Sequence, residues 1–87
     1  MQHKLLKIGR WKSDTFKEYQ IHLCFGESYF IEIYEVLHFL EPFEGYHFTE
    51  ALELRVSFSY KSEASAKSAF YRFLRVGVPK NLLNYIF

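Results

Sequence analysis

Residues 52–79 read LELRVSFSYKSEASAKSAFYRFLRVGVP, and two hydrophobic periods meet inside them. As far as Tyr60 the apolar residues alternate: Leu52, Leu54, Val56, Phe58 and Tyr60 fall on one side, and Glu53, Arg55, Ser57, Ser59 and Lys61 on the other. Side chains of a strand point to opposite faces in turn, so this pattern predicts a strand with one buried face and one wet one. From Ala66 the spacing becomes i, i+3, i+4, i+7, i+8 through Ala69, Phe70, Phe73 and Leu74, a single stripe on a helix. Ser62 stands at the junction, where its hydroxyl can accept from the first free amides of a helix, and Gly77 with Pro79 provides the stop. The spacing therefore predicts a main helix at about 63–76 that folds its stripe back onto the preceding strand.

Toward the N-terminus the same alternation recurs. Tyr19, Ile21, Leu23 and Phe25 alternate with Glu18, Gln20, His22 and Cys24; Gly26, Glu27 and Ser28 interrupt; then Tyr29, Ile31 and Ile33 alternate with Phe30, Glu32 and Tyr34. A hairpin with a three-residue loop at 26–28 pairs Phe25 with Tyr29, Leu23 with Ile31 and Ile21 with Ile33, so the two apolar faces coincide, and a one-residue slip would destroy the match. After Tyr34 the alternation fails, because Glu35 lands on the apolar face. Ile33, Val36, Leu37 and Leu40 would fit a short helix over 32–41, but the β-branched and aromatic residues crowding this stretch favour a strand with a bulge. Pro42 ends it, and Glu41–Glu50, EPFEGYHFTE, reads as a ten-residue loop rich in aromatics.

The two ends complete the picture. Residues 4–12, KLLKIGRWK, form a short strand with Leu6 and Ile8 on one side and Leu5 and Trp11 on the other; Gly9 suggests a bulge or bend, and Ser13 and Asp14 make a turn. Pro79 opens a short C-terminal helix over about 79–87 that turns Leu82, Leu83, Ile86 and Phe87 inward. FYRFLRV could be a fifth strand on composition, but its Ala-rich lead-in and five-residue stripe argue for helix. Strands followed by helices give an α+β fold: one antiparallel sheet of about four strands with both helices on one face. At 87 residues the chain makes a single domain, 1–87, since a second core would have too little to bury.

Composition narrows the function classes. Hydrophobic residues make up 49% and aromatics 21%, which excludes a disordered segment. One Cys cannot form an internal disulfide, no apolar run reaches a signal peptide or a membrane span, and the expectation is a soluble cytoplasmic protein without a membrane partner. The net charge of +1 conceals a sorted distribution: residues 18–54 hold eight Glu and no Lys or Arg, while both flanking segments are basic. Such sorting either neutralises neighbours within the fold or makes a bipolar surface that orients a partner.

A search for chemistry finds little. His22 and Cys24 would project from the same side of a strand with Glu32 nearby, the residue types of an activated thiolate, but a lone strand Cys is ordinarily a small packing residue. His3, His22, Cys24, His38 and His47 have no metal-ligand spacing, so only a site assembled by the fold could hold a metal, and none is expected. The four Gly are isolated and make no phosphate loop, no cofactor is expected, and the expectation is a protein that is not an enzyme.

Binding is what remains. The sheet face away from the helices appears in the pattern with Phe30, Tyr34 and Trp11, and the long loop adds Phe43, Tyr46 and Phe48. Aromatics beside charges are the usual make-up of interface anchors with a polar rim. The first expectation is a small protein-binding module, such as a regulator, inhibitor, immunity-type or accessory factor, that binds another protein or its own copy through these six residues. The alternative is a single-stranded nucleic-acid binder using the aromatic face together with Lys7, Arg10, Lys12, Lys67, Arg72 and Arg75. Against the alternative stands the Glu-rich middle of the chain, which would repel phosphates.

Overall fold

The computed structural model describes residues 3–13, 15–41, 47–79 and 81. Four strands run in chain order, β1 (Lys4–Lys12), β2 (Glu18–Phe25), β3 (Tyr29–Glu41) and β4 (His47–Tyr60), and the helix α1 (Glu63–Val76) follows. The sheet order is β1-β2-β3-β4 with every neighbour antiparallel, a meander. The architecture is the expected α+β one, four antiparallel strands followed by a helix packed against them. The expected C-terminal helix lies almost wholly outside the described residues.

The central hairpin has the register its alternation predicts. Phe25 opposes Tyr29, Leu23 opposes Ile31 and Ile21 opposes Ile33, with Cys24 beside Phe30, His22 beside Glu32 and Gln20 beside Tyr34. Ile21, Leu23, Ile31 and Ile33 are fully buried under α1, against Ala66, Ala69, Phe70 and Phe73. Each such side chain gains about 1.5–3 kcal/mol from leaving water. The helix is placed by its ends as well as its stripe. Ser62 Oγ accepts from the amide of Ser65 at 3.1 Å, Glu63 and Arg75 complement the helix dipole, and the Gly77 amide donates to the Phe73 carbonyl at 2.9 Å. Ser62→Ala is expected to lower stability by about 1 kcal/mol, read from the midpoint of a urea titration.

Two irregularities reassign faces. Between Ile33 and Tyr34 the register of β3 with β4 shifts: Ile33 opposes Val56, but Tyr34 opposes Leu54. The bulge expected in β3 therefore lies opposite, in β4, with Arg55 as the extra residue. Strict alternation had put Leu52, Leu54, Val56, Phe58 and Tyr60 on one side. Instead Val56, Phe58 and Tyr60 pack on the core, while Leu52 and Leu54 turn to the face away from the helix. The second shift, between Leu5 and Lys7 in β1, makes Leu6 the extra residue, so Leu5 joins Ile8 on that same far face.

Gly9 is not the bulge. It opposes Ile21 in regular pairing, directly beneath the helix, and a Cβ there would stand 2.8 Å from Leu74 Cδ1. Its smallness lets α1 come down on β1. The Glu41–Glu50 loop is also shorter than its composition suggests. β3 continues to Glu41 and β4 begins at His47, with His38 opposite Glu50 and Leu40 opposite Phe48. This long ribbon extends beyond the helix, and the molecule reaches 47 Å along its longest axis.

Candidate functional site

Among the described elements only α1 lies on the sheet, and it covers one face. The other face can be built row by row from the register, since opposed residues share a side. Leu5, Cys24, Phe30 and Ser59 form the first row; Ile8, His22, Glu32 and Ser57 the second. Arg10, Gln20, Tyr34 and Leu54 form the third, and Lys12, Glu18, Val36 and Leu52 the fourth, with His38 and Glu50 beyond. Four aliphatic side chains on the two outer strands are open to solvent: Leu5, Ile8 (53% exposed), Leu52 and Leu54 (45%). They make two apolar patches at opposite corners of the face, Leu5 with Ile8 on β1 and Leu52 with Leu54 on β4 beside Tyr34, and the polar His22 and Gln20 of β2 lie on the diagonal between them.

The aromatic residues nominated from the sequence do not gather into one platform. Trp11 belongs to the helix side, opposite Tyr19 in register; its indole stacks on the Tyr19 ring at 5.5 Å and packs against Gly77. It is part of the core wall because Gly9, two residues before it, also faces α1. Phe30 and Tyr34 do lie on the open face, separated by Glu32 on the same strand. Phe43 and Tyr46 lie outside the described residues, as does the side chain of Phe48. The sequence reading missed Leu5, Ile8, Leu52 and Leu54. The misplaced Glu35 was the signal that could have found the last two, since a carboxylate on the core face demands a change of register nearby.

Glu35 is 9% exposed on the helix side of the sheet. Its Oε1 accepts from Arg55 Nε at 3.0 Å and from Nη2 at 2.7 Å, and Arg55 Nη1 also reaches Glu53 at 3.3 Å. Glu35 and Glu53 oppose one another directly, a repulsive pairing in a sheet, and the extra residue Arg55 brings its guanidinium to both.

The polar centre of the open face does not assemble the Cys24–His22 arrangement. His22 Nε2 donates to Gln20 Oε1 at 2.9 Å, and its ring lies 4.7 Å from that of Tyr34 rather than serving the thiol. Burial lowers the His22 pKa against the opposing pull of Glu32. Burial also raises the Cys24 thiol, and Glu32, 4.0 Å from its sulfur, raises it further, so the protonated form is favoured. Tyr34 donates to Glu32 Oε1 at 3.1 Å, and burial followed by that bond pushes its phenol up to about 12.

The nominated basic residues divide among three places. Arg10 and Lys12 project from the open face, Lys7 and Lys67 flank a cleft on the helix side, and Arg72 lies beside Tyr60 at the opposite edge, with Arg75 in the last helical turn. The fold does bring Glu18, His38 and Glu50 together from three strands, with donor atoms within 4.8 Å of one another. Arg10 fills that grouping: its guanidinium pairs with Glu18 and reaches Glu50 at 3.5 Å, which makes it a cross-strand ion-pair network. One further group stands out. Phe16, in the turn between β1 and β2, is 81% exposed and has a positive φ of 65°, with the Lys12 ammonium 5.8 Å from its ring centre. A bulky residue in the left-handed region is strained, and its exposed ring stands at the Lys12 end of the open face.

Comparison with protein-family models, with curated proteins and with solved structures returns no match.

Proposed function

We propose that this chain is a non-catalytic protein-binding module whose contact surface is the open sheet face, and that its simplest partner is a second copy of itself. The observation that carries the reading is the set of exposed aliphatic side chains on one diagonal of the uncovered face, Leu5 and Ile8 at one corner and Leu52 and Leu54 at the other. Exposed apolar groups rimmed by polar residues are the usual mark of a contact surface. The diagonal superposes on itself under a two-fold axis laid along it, so two copies can meet corner to corner in an isologous pair. The same rotation carries the flank holding Arg10 and Lys12 toward the flank holding Glu32.

The size is adequate. Four strands at about 4.8 Å spacing and four to five rows of about 7 Å give a projected face of roughly 540–670 Å². Surface relief brings its accessible area near the ~800 Å² per partner that stable pairs bury. Leu54→Glu places a charge in the β4 apolar patch of the open face without touching the helix-side core. In sedimentation velocity the wild-type chain should run as a dimer at tens of micromolar and Leu54→Glu as a monomer with an unchanged circular-dichroism spectrum. A wild-type chain that stays monomeric at high concentration, or a variant that still pairs, overturns the self-pairing.

A further inference from the structure

The helix side of the sheet holds a second surface that self-pairing of the open face leaves free. Between the N-terminal half of β1 and the first turns of α1 lies a cleft of about 320 Å³, walled by Lys4, Lys7 and Lys67 and floored by Phe25 and Tyr29, with Glu63 at its rim. We propose that this cleft binds single-stranded nucleic acid, one base stacking on the Phe25–Tyr29 pair while neighbouring phosphates lie against the three lysines.

The charges favour a polyanion. Glu63 is already engaged: Lys67 Nζ lies 2.7 Å from its Oε1, and the Tyr29 hydroxyl donates to its Oε2 at 3.0 Å. Its carboxyl is held below the usual range, first by the bond from Lys67 and then by that from Tyr29. Neither Lys4 nor Lys7 has a carboxylate partner among the described residues; the Lys7 ammonium lies 5.7 Å from the Tyr71 ring centre. The cleft therefore has an excess of positive charge in a protein whose net charge is only +1.

The rings favour a base. Phe25 and Tyr29 close the β2–β3 hairpin with centroids 4.6 Å apart, and Phe25 is 39% exposed although it continues the buried face of β2. An exposed ring beside unpaired ammonium groups is the combination that single-strand binders use, since every base has a face to stack. Duplexes keep their bases stacked inside, so they cannot use such a ring. Lys4 and Lys7 also follow one another along β1, an edge strand, as successive phosphates follow a strand of nucleic acid. The Arg10, Lys12, Arg72 and Arg75 side chains point elsewhere and have no part in it.

The test is fluorescence anisotropy with a labelled 12-nucleotide oligo-dT and the full chain. Binding is expected at low salt, with log K falling on log salt at a slope of about −2, as for three phosphates neutralised on a single strand. Lys4→Glu with Lys7→Glu should abolish it, and Phe25→Ala should weaken it by roughly 5- to 100-fold, the range for loss of one stacked base. Leu54→Glu should bind as the wild type does, which separates this site from the open face. No binding at 50 mM salt, equal affinity for a duplex of the same length, displacement by an equal concentration of mononucleotide, or an unaffected lysine double variant each overturns the proposal.

Discussion

Gly77→Ala is expected to lower stability by about 2–6 kcal/mol. Two causes add. Gly77 has φ 88° and ψ 175°, a region open in practice only to glycine, and a side chain there costs about 1–3 kcal/mol in backbone strain. The new Cβ would also enter the Trp11 indole, standing 2.6 Å from Cε2, and overpacking of that kind costs about 1–3 kcal/mol more. The indole cannot swing away easily, because its other face is stacked on Tyr19. Urea denaturation of Gly77→Ala, Trp11→Phe and the double variant separates the two causes. The smaller ring should restore part of the loss in the double variant, and the backbone part should persist.

Glu35→Ala is expected to cost about 3 kcal/mol, because it removes the carboxylate that takes two hydrogen bonds from a largely buried guanidinium. The side chains of Glu35 and Arg55 are 12% and 16% exposed, and the second carboxylate that Arg55 reaches, Glu53, is far more exposed. Glu35→Gln, which preserves an acceptor oxygen for Nε and Nη2, should cost less than half as much. Buried pairs are screened weakly, so the difference between Glu35→Ala and wild type should survive in 1 M NaCl, whereas a surface pair would lose its contribution there. Equal stability of Glu35→Ala and wild type in urea would mean that this pair is not holding the bulge.

Much of the fold is legible in the chain because its commonest signals are local. Ser62, Ala66, Ala69, Phe70, Phe73 and Gly77 place a helix by spacing and caps alone, and the β2–β3 register follows from matching two alternating runs across a three-residue loop. What is not legible is any feature that depends on a partner strand. The LELRVSFSY run alternates without a break, yet at Arg55 the ladder skips a residue, because Glu35 across the sheet needs a cation beside it. Leu52 and Leu54 consequently left the core list and became the exposed surface. Trp11 went the other way, for a reason that only the packed helix reveals: Gly9 lets Leu74 of the helix come down on β1, and Gly77 leaves room for the indole. The cleft at β1 and α1 joins residues 4, 7, 25, 29 and 67, and no spacing in the chain links them.

The bulge at Arg55 divides β4 into two stretches of opposite parity. Odd or even position decides whether a side chain faces the helix on one stretch, and the rule inverts on the other. Loss of Arg55 would let the strand run regularly and leave every side chain on its present face, since Leu54 would still oppose Tyr34 and Leu52 would still oppose Val36. Loss of two residues there, or regular pairing of Arg55 with Tyr34, would exchange inside for outside along the distal ribbon and turn Leu52 toward the helix side. The exposed surface of β4 therefore depends on one residue that has no place in the ladder.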